Sequence, residues 1–501
     1  MERAQAASTA TLIATLTAPL PADTAPADMA GLAAADWLEV RADLIGDLDP
    51  KPLRKALPGR LLLYTLRSRA EGGAMEGSAE RRKRRLLDAA RRYDLIDLEM
   101  ARDLVPEVLK AVPPERRVLS WHGPATPLAN LQATFQRMSG TGAALYKLVP
   151  AATQPGEELA PLLLLAGLDR RDVTAFSTGL AGVWTRLVAP RLGAPVVYGA
   201  AGEVPGAPGQ PTIRQLVEDF GLPALLPVST LFGLVGNPVS HSLSPRIHNA
   251  AYRELGIPAL YLPFHTESFG DFWLEVVESG SMEEMGLPIC GLSVTAPYKE
   301  TALAVGGAES PRAGLIGAAN TLVWNQGVWE AEATDPDGVV LPLRERGIPI
   351  EGRTAAVVGT GGAGRSAAAG LSTAGAVVTL VNRGAERGLQ AASLLNLPYL
   401  PLADLDPSAY DILVNATSIG RTDGEALPFP VDHLRPGAVV IDMVYGMEPT
   451  ALLREAAARG AVTVDGREVL IGQAAGQFRM MTGKELPLAL ARRVAGLGEI
   501  S

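Results

Sequence analysis

Residues 354–365 have the sequence TAAVVGTGGAGR, in which an apolar run leads directly into a glycine-rich turn. The alanine-rich residues that follow have the composition of a helix. Glycine at such a turn permits a tight bend and lets backbone N–H groups approach a pyrophosphate at the helix N-terminus. Between a strand and a helix, the pattern predicts a Rossmann-type dinucleotide-binding domain, here over residues 335–465.

The second strand of this domain, AVVTLVN, ends in Asn382-Arg383, and Arg387 follows four residues later. An acidic residue at this place would hold the ribose hydroxyls of NAD. Two arginines suit a 2′-phosphate instead, so the sequence favours NADP as the cofactor. An ordinary basic start of a helix is the alternative interpretation.

The composition of the whole chain narrows the class of protein. The 501 residues suggest about three domains, and 47% of apolar residues suffices for a core in each. A net charge of −9 argues against nucleic-acid binding and against a polybasic membrane anchor. The single cysteine, Cys290, excludes a disulfide framework and a cysteine zinc site, and no apolar run reaches the roughly 18 residues of a membrane-spanning helix. We expect a cytoplasmic α/β protein without a metal centre.

Apolar, β-rich runs alternate with segments of helical length in the first half of the chain. The runs lie at residues 11–18, 36–42, 61–66, 94–99, 117–121, 143–149, 172–177 and 195–199. Strands that alternate with helices form parallel βαβ units, and eight of them predict a closed (β/α)8 barrel over residues 1–222. An open doubly wound sheet is the alternative.

Polar side chains lie near the C-terminal ends of these runs, where the catalytic groups of a barrel gather. Among them are Glu39, Arg41, Arg67, His122 and Lys147. Seven of the 45 basic residues are lysines, so a lysine in an apolar stretch, such as Lys147 or Lys299, indicates amine chemistry that arginine cannot perform. A desolvated lysine can form a Schiff base, a histidine can move protons, and arginines can bind a carboxylate. The predicted chemistry is that of a Schiff-base aldolase or dehydratase acting on a carboxylated, keto-sugar-like substrate.

These residues resemble type I 3-dehydroquinate dehydratase over residues 10–220. The resemblance rests on Glu39-Val-Arg41-Ala-Asp43, Thr65-Leu-Arg67, Glu71-Gly-Gly, Asp97-Leu-Glu99, Ser120-Trp-His122, Lys147, Arg186 and Ala207-Pro-Gly-Gln210. It implies that Lys147 forms the Schiff base, that His122 is the general acid and base, and that Glu71 orients His122. It further implies substrate contacts at Glu39, Arg41, Arg67, Arg186 and Gln210. The chain departs from the family at Gly123, where Asp or Asn usually follows the histidine, and at Gly206, in a loop that usually carries serine.

Residues 221–231 (GLPALLPVSTL) are rich in proline and uncharged, and we interpret them as a short connector. A new α/β pattern follows, with strand-like runs at residues 231–235, 258–264 and 287–294. A hairpin is predicted over residues 320–332, with its turn at Asn325-Gln-Gly327. Small hydroxyl and amide side chains occur here with one lysine and one carboxylate, a set that suits a polyhydroxylated, carboxylated ring.

The second half resembles shikimate dehydrogenase over residues 230–490. The motifs are Ser242-Leu-Ser244-Pro, Ser293-Val-Thr295-Ala-Pro-Tyr-Lys299, Ala319-Asn320-Thr321, Thr334-Asp335, Asn415-Ala-Thr-Ser-Ile-Gly420, Asp442-Met-Val-Tyr445 and Gln473-Ala-Ala. The resemblance implies a catalytic pair of Lys299 and Asp335, in a shikimate-binding domain at residues 229–334 that residues 466–495 complete. It implies shikimate contacts at Ser242, Ser244, Thr295, Asn320, Tyr445 and Gln473. It implies NADP contacts at Gly359, Gly361, Gly362, Ala363, Asn382, Arg383, Arg387, Thr417 and Met443, with Gly384 in place of the usual threonine.

The two resemblances together imply one chain with two activities, dehydration of 3-dehydroquinate to 3-dehydroshikimate and NADPH-dependent reduction of that product to shikimate. A quinate/shikimate dehydrogenase that uses NAD is the alternative for the second half, and a non-catalytic regulator is a more distant one. The expected partners are these small molecules, with no nucleic acid and no membrane, and the oligomeric state stays open.

Overall fold

The structure, a computed structural model, describes residues 8–19, 32–420, 426–446 and 448–498. The chain forms two compact units. The first comprises residues 1–231, 237–241 and 257–289, and the second comprises residues 232–236, 242–256 and 290–501. The predicted barrel strands fall in the first unit, and the glycine-rich turn falls in the second.

The first unit is built on eight parallel strands. The strands up to residue 225 are β1 (Ser8–Thr9), β2 (Thr11–Leu16), β3 (Trp37–Arg41), β4 (Leu61–Thr65), β5 (Leu95–Glu99), β6 (Arg117–Gly123), β7 (Leu145–Pro150), β8 (Val173–Ala175), β9 (Val196–Ala200) and β10 (Ala224–Leu225). The eight parallel strands follow one another in the order β8-β7-β6-β5-β4-β3-β2-β9. Each predicted run holds one of them, and the prediction of a barrel is confirmed.

The barrel has one seam, because no backbone ladder joins β8 to β9 among the described residues. At the seam, the Thr174 hydroxyl donates a hydrogen bond to the Val196 carbonyl oxygen at 3.4 Å. A hydrogen bond from a side chain to the backbone therefore joins β8 and β9 where the ladder is missing.

Helices connect the strands of the first unit. They are Ala42–Ile45, Pro50–Ala56, Ala79–Ala89, Pro106–Ala111, Leu128–Ser139, Ala160–Gly167, Thr185–Val188 and Ile213–Glu218, with 3-10 turns at Arg69–Glu71, Pro114–Arg116, Glu157–Leu159 and Ala189–Leu192. The later part of the unit holds Phe269–Phe272, Trp273–Val277 and Ser281–Glu284. The helix that begins at Ala79 follows from its sequence, because the Ser78 side chain accepts a hydrogen bond from the Arg81 N–H, while Leu86 and Ala89 are buried on one face.

Residues 221–231, predicted as a connector, carry the short strand β10. It pairs with β1 in antiparallel fashion, and Ser8 lies opposite Leu225. The Ala10 N–H also donates a hydrogen bond to the Pro223 carbonyl oxygen at 3.0 Å. The connector is therefore fastened to the strand that precedes the barrel.

The first sheet of the second unit contains the predicted hairpin. The strands from residue 230 onward are β11 (Thr230–Gly236), β12 (Ala259–His265), β13 (Ile289–Val294), β14 (Ala308–Glu309), β15 (Thr321–Asn325), β16 (Val328–Glu332), β17 (Thr354–Val358), β18 (Val377–Asn382), β19 (Tyr399–Pro401), β20 (Ile412–Asn415), β21 (Val439–Asp442) and β22 (Val462–Val464), of which β12 belongs to the first unit. In the second unit, β11, β13, β15, β16 and β14 are neighbours in that order. The turn between β15 and β16 consists of Gln326 and Gly327, with φ angles of 49° and 88°. Two positive φ angles are the conformation of a type I′ turn, which matches the twist of paired strands.

The second sheet of this unit is entirely parallel and has the order β19-β18-β17-β20-β21-β22. This is the strand order 3-2-1-4-5-6 of a Rossmann fold, as predicted. The helices of the unit are Ser244–Leu255, Lys299–Val305, Pro311–Ile316, Asp335–Glu345, Gly362–Thr373, Ala385–Leu395, Ala451–Ala458, Gly466–Thr482 and Leu488–Val494, with 3-10 turns at Leu402–Asp404 and Pro407–Ala409. Within the described ranges, no helix combines the length and apolar character needed to cross a membrane.

Two helices of the second unit pack with their backbones in contact. A Cβ at Gly472, in the helix Gly466–Thr482, would lie 2.8 Å from the Gly338 Cα in the helix Asp335–Glu345. A Cβ at Gly338 would in turn lie 2.8 Å from the Val469 carbonyl oxygen. Glycine is therefore required on both helices for this approach, which fixes the helix that starts at Asp335.

We expect Gly472→Ala to destabilise the protein, because the added methyl group meets backbone that cannot turn away. Overpacking of this kind costs about 1–3 kcal/mol in the free energy of unfolding. Thermal unfolding followed by circular dichroism should show a lower midpoint for this variant. The control is Gly270→Ala, where no heavy atom lies within 4 Å of the new Cβ and the midpoint should hold. Equal midpoints for both variants would contradict the prediction.

Candidate active sites

The C-terminal ends of the barrel strands enclose a cavity of about 300 Å³. Its lining includes every residue predicted for the first site: Glu39, Arg41, Arg67, Glu71, His122, Lys147, Arg186 and Gln210. They come from different strands and loops, which a parallel barrel brings to one mouth. The structure therefore gathers the whole predicted set in one place.

Lys147 lies in β7 and is buried inside the barrel. Its Nζ is 3.7 Å from Glu39 Oε1 and 3.8 Å from the centroid of the Tyr198 ring. Burial lowers the pKa of Lys147, although the carboxylates of Glu39 and Asp97 act in the opposite direction. A lowered pKa increases the share of neutral amine, which is the form that attacks a carbonyl carbon.

Glu39 remains ionised beside this amine. Its carboxylate accepts hydrogen bonds from the hydroxyls of Thr15 at 2.8 Å and Thr65 at 2.9 Å. Burial alone would raise the pKa of Glu39, but the charges of Lys147 and Arg41 and these two hydrogen bonds outweigh burial and lower it. Glu39 is therefore a fixed negative charge in the cavity.

His122 lies at the end of β6 and is paired with Glu71. Glu71 Oε2 is 3.3 Å from His122 Nδ1 and accepts a hydrogen bond from the His122 backbone N–H at 3.0 Å. Burial and then nearby positive charges, chiefly Arg67, hold the pKa of His122 well below its usual range. Burial and the Glu99 carboxylate raise the pKa of Glu71 to about 7. Near pH 7 the imidazole is thus neutral and can accept a proton. The Glu71 carboxyl group, with its pKa of about 7, changes its ionisation near this pH.

The Arg67 guanidinium is the centre of a buried charge network. Its Nη1 donates hydrogen bonds to Ser120 at 2.9 Å, Glu71 at 3.3 Å and Glu99 at 3.4 Å, and its Nη2 donates to Asp97 at 2.9 Å. The Ser120 hydroxyl also donates to Asp97, at 2.6 Å. Arg67 lines the cavity as predicted, but protein groups engage most of its donors.

Arg186 differs from Arg67 because no carboxylate among the described residues pairs with it. Its Nη1 donates to the Tyr198 carbonyl oxygen at 3.0 Å, its guanidinium lies 4.7 Å from the Phe176 ring centroid, and its buried Nε has no hydrogen-bond partner in the described chain. Burial lowers the pKa of Arg186 to about 10, so the group is still a cation at pH 7. A buried, incompletely satisfied guanidinium is suited to an anionic ligand such as a carboxylate.

The two glycines at which the chain was expected to depart from the family, Gly123 at the end of β6 and Gly206 in the loop before Gln210, have close neighbours. A Cβ at Gly123 would lie 2.2 Å from Trp121 Cζ2, and one at Gly206 would lie 2.8 Å from Thr15 Cγ2. The Gly206 N–H donates to Gln210 Oε1 at 2.8 Å, and Gln210 Nε2 donates to the Thr15 hydroxyl at 3.1 Å. Gln210 thus holds its loop against β2, and a larger residue at either glycine would displace a neighbour.

A second site lies in the second unit, where Lys299 and Asp335 each begin a helix. The Lys299 ammonium and one carboxylate oxygen of Asp335 form an ion pair. The other carboxylate oxygen accepts a hydrogen bond from Asn320 Nδ2 at 2.8 Å, and Asn320 Oδ1 accepts one from the Thr334 N–H at 2.7 Å. The structure therefore brings Lys299, Asp335 and Asn320 together, as predicted.

The remaining residues predicted to bind shikimate lie on separate elements of the same unit. The Ser242 hydroxyl donates to the Ser244 hydroxyl at 3.2 Å, and Thr295 follows β13. Tyr445 comes three residues after β21, and Gln473 lies in the helix Gly466–Thr482, beside Gly338.

The glycine-rich turn has the geometry that a pyrophosphate requires. Gly359 has a φ angle of 106°, and a Cβ at Gly364 would lie 1.9 Å from the Gly359 carbonyl oxygen. Gly361 precedes the helix Gly362–Thr373, and Ala363 lies in its first turn. No side chain caps this N-terminus, so the first backbone N–H groups can bind an anion.

Lys299 extends toward this turn. A Cβ at Gly362 would lie 3.5 Å from Lys299 Cδ. Next to it, Arg365 donates hydrogen bonds to Glu300 at 2.8 Å and to the Ile316 carbonyl oxygen at 3.0 Å. The amine of the second site and the dinucleotide turn are therefore adjacent.

The end of β18 carries the predicted 2′-phosphate contacts. Asn382 Nδ2 donates to the Gly384 carbonyl oxygen at 2.8 Å. Arg383 and Arg387 are exposed, and neither has an ion-pair partner in the part of the chain that the structure describes. Two unpaired cations beyond an uncapped glycine-rich turn fit NADP.

Asn415 and Asp442 form a buried scaffold at the ends of β20 and β21. Asn415 Nδ2 donates to Asp442 Oδ1 at 2.9 Å, and the Thr450 hydroxyl donates to Asp442 Oδ2 at 2.6 Å. The Thr417 hydroxyl donates to Asn415 Oδ1 at 2.7 Å, and the Met443 N–H donates to the Asn415 carbonyl oxygen at 3.0 Å. The scaffold thus positions Thr417 and Met443, which were predicted to contact the cofactor.

Tyr198 lines the first cavity and was missed by the sequence analysis. The available signal was its place in the last barrel strand, which many apolar residues share.

Among the described residues, no cluster of three or more His, Cys, Asp or Glu side chains is arranged to hold a metal ion.

Comparisons with known proteins address both halves. Residues 16–223 match the family model of type I 3-dehydroquinase, and residues 234–322 match that of the shikimate dehydrogenase substrate binding domain. A shikimate dehydrogenase (NADP(+)) of Halorubrum lacusprofundi is 42% identical over 270 residues, which covers 52% of this chain and 95% of the relative. A crystal structure of shikimate 5-dehydrogenase from Thermus thermophilus, in complex with NADP(H) and shikimate, is 33% identical with a TM-score of 0.49, and covers 53% of this chain and 98% of that one.

A further relative is similar to this chain over both halves. It is the chloroplastic bifunctional 3-dehydroquinate dehydratase/shikimate dehydrogenase of Arabidopsis thaliana, which is 30% identical over 486 residues. The alignment covers 91% of this chain and 79% of the relative, so the order of the two halves is shared as well as their sequences. On this basis the chain belongs to the family of bifunctional 3-dehydroquinate dehydratase/shikimate dehydrogenases.

Proposed function

We propose that the first unit dehydrates 3-dehydroquinate to 3-dehydroshikimate, and that the second unit reduces this product to shikimate with NADPH. The observation that carries the proposal is that the buried amine of Lys147 shares one cavity with the His122–Glu71 pair. The family to which the chain belongs supports both reactions in one polypeptide.

The dehydration begins when the Lys147 amine attacks the ketone carbon of 3-dehydroquinate. A C–N bond forms, and the carbonyl oxygen leaves as water after taking one proton from the amine and one from an acid in the cavity. The nitrogen then carries the positive charge of an iminium. This charge withdraws electrons and acidifies the adjacent carbon.

His122 removes a proton from that carbon and returns it to the neighbouring hydroxyl as the C–O bond breaks. A carbon–carbon double bond and one water result, and a second water hydrolyses the iminium to restore the Lys147 amine. The lowered pKa of His122 keeps the imidazole neutral at pH 7, which is the form that can accept a proton. Glu71, ionised above about pH 7, stabilises the imidazolium that exists between the two proton transfers.

Arg186 is the proposed partner of the substrate carboxylate, because its buried Nε has no partner in the described chain. Glu39, Arg41 and Gln210 would bind the hydroxyl groups of the ring. Arg67 lines the same cavity, but its bonds to Glu71 and its neighbours favour a role in positioning Glu71.

In the second unit, the glycine-rich turn and the arginines beyond β18 would hold NADPH, which when bound would supply a hydride to the ketone carbon. Lys299 donates a proton to the ketone oxygen, and Asp335 holds the ammonium in place. The shikimate hydroxyls and carboxylate would be bound by Ser242, Ser244, Thr295, Asn320, Tyr445 and Gln473. The adjacency of Lys299 to Gly362 supports this assignment, because it puts the proton donor beside the proposed cofactor site.

The proposed cofactor site begins at the glycine-rich turn and ends at the two arginines beyond β18. The residues are Gly359, Gly361, Gly362, Ala363, Asn382, Arg383, Arg387, Thr417 and Met443. The alternative is that the second unit uses NAD or acts on quinate. Gly384 favours the use of NAD, because a hydroxyl group is missing from the proposed phosphate site.

We also propose a division into three domains. They are a barrel at residues 1–222, a shikimate-binding domain at residues 229–334 that residues 466–495 complete, and an NADP domain at residues 335–465. A cytoplasmic location is likewise proposed, supported by the single free cysteine, which requires no oxidising compartment.

We expect the two activities to be separable by single substitutions, because the two proposed sites share no residue. Lys147→Ala should abolish dehydration and leave shikimate oxidation near the wild-type rate, and Lys299→Ala should do the reverse. Borohydride added with 3-dehydroquinate should increase the mass of the wild-type peptide that contains Lys147. Lys110→Ala, at an exposed lysine, is the control for both assays. An unmodified Lys147 in protein that borohydride has inactivated would refute the assignment.

The dehydration should depend on the ionisation of Glu71. Since its pKa is about 7, kcat/KM should rise as the pH passes upward through this value. Glu71→Gln should remove this inflection and lower the plateau about ten- to a hundredfold, because a charge-assisted hydrogen bond contributes about 1.5–3 kcal/mol. Glu107→Gln, at an exposed carboxyl group, should leave the profile unchanged. An inflection that persists in Glu71→Gln would assign it to another group.

The preference for NADP should respond in opposite directions to two neighbouring changes. Arg383→Ala should raise the KM for NADP about ten- to a hundredfold and leave that for NAD almost unchanged, because one charge-assisted contact is lost. Gly384→Thr should lower the KM for NADP, because position 384 has a φ angle of −91° and a Cβ there would meet only Asn382 Nδ2, at 3.7 Å. Arg493→Ala, at an exposed arginine of the last helix, is the control. Equal losses for both cofactors in Arg383→Ala would show a structural role.

A further inference from the structure

Tyr198 has a place in the barrel that no part of the proposed mechanism uses. It lies in β9, is buried, and lines the cavity that holds Lys147. Its ring centroid is 3.8 Å from Lys147 Nζ, so the amine sits over the aromatic face. At this distance the negative face of the ring attracts a cation, more strongly where water is excluded.

We infer that Tyr198 is a further catalytic residue of the dehydratase, whose ring face stabilises the positive charge that Lys147 carries as an iminium. This inference rests on the proposed Schiff-base function of Lys147. It adds an electrostatic role to a residue that touches the reacting nitrogen.

The chemistry explains why an aromatic face suits this nitrogen. A protonated amine has three N–H groups, whereas the iminium formed with loss of water has one. A hydrogen-bonding partner therefore loses most of its contacts as the reaction proceeds, and the carboxylate of Glu39 is also shared with Thr15 and Thr65. The attraction of a ring for a cation depends on charge rather than on the number of N–H groups.

The ring also leaves the proton path undisturbed. The face of a neutral phenol cannot act as a base at neutral pH. Burial and then the carboxylates of Glu39 and Asp97 hold the pKa of Tyr198 well above its usual range, so the side chain stays neutral.

The hydroxyl group of Tyr198 allows the role of the ring to be tested separately from hydrogen bonding. It is buried and has no hydrogen-bond partner in the described part of the chain. Removal of the hydroxyl therefore breaks no bond within the described protein and retains the ring. Tyr198→Phe preserves the group that the inference requires, and Tyr198→Leu removes it.

The decisive experiment replaces Tyr198 in the full chain with phenylalanine and with mono-, di- and trifluorinated phenylalanines. Fluorine withdraws electrons from the ring face and changes its shape little. We expect kcat for dehydration to fall steadily with each fluorine, by about three- to thirtyfold in total, and Tyr198→Leu to fall at least as far. The same fluorinated series at Phe220, a buried residue outside the cavity, should leave kcat unchanged.

Two results would overturn the inference: a kcat that is independent of fluorination, or an equal response to fluorination at Phe220. Borohydride trapping in the Tyr198→Phe protein distinguishes failure of this inference from failure of the proposed Schiff-base function. If the adduct forms on Lys147 but kcat does not change with fluorination, Tyr198 has no electrostatic role and the proposed Schiff-base function is unaffected. If wild-type protein gives no adduct on Lys147, the proposed function fails first.

Discussion

Compensation of buried charge is the constraint on which the barrel site depends. An ionised group that leaves water must find a partner, because an unpaired buried charge is costly. Glu39 stands against Lys147, and Arg67 is surrounded by Asp97 and Glu99, with hydrogen bonds that satisfy most of their polar atoms. Removing one member would leave its neighbours with fewer partners for their buried charges. Side chains from several strands therefore form one energetic unit, and the exception, Arg186, is the group with unused capacity for a ligand.

The second site is organised by close approach of backbone rather than by a dense charge network. The contact of Gly338 with Gly472 fixes the helix that starts at Asp335, and Asn320, the residue before β15, donates a hydrogen bond to the Asp335 carboxylate. At the cofactor turn, the space beside the Gly359 carbonyl oxygen likewise admits only glycine at position 364. Small residues thus allow close backbone approach at the helix that starts at Asp335 and at the dinucleotide turn.

Local chemistry explains which features the sequence could predict. Strand runs, the type I′ turn at Gln326 and Gly327, and the glycine-rich turn each depend on residues that are adjacent in the chain. Arg67 and Arg186 look alike in sequence, yet one is saturated and the other is not, because Asp97 and Ser120 reach Arg67 only through the register of neighbouring strands. Tyr198 gave only a weak signal, its place in a barrel strand, since its importance comes from a nitrogen on another strand. The seam between β8 and β9 was also not predicted, because strand pairing depends on residues that are far apart in the chain.

The indole of Trp121 lies where any side chain at position 123 would have to project, and this has an evolutionary consequence. The two residues are two apart on β6, so their side chains share one face of the strand. The aspartate or asparagine usual in the family could not replace Gly123 while the indole keeps this position. Positions 121 and 123 are therefore coupled: a side chain at position 123 requires the Trp121 indole to turn away or to be replaced. A substitution at one of these positions is expected to change the effect of a substitution at the other.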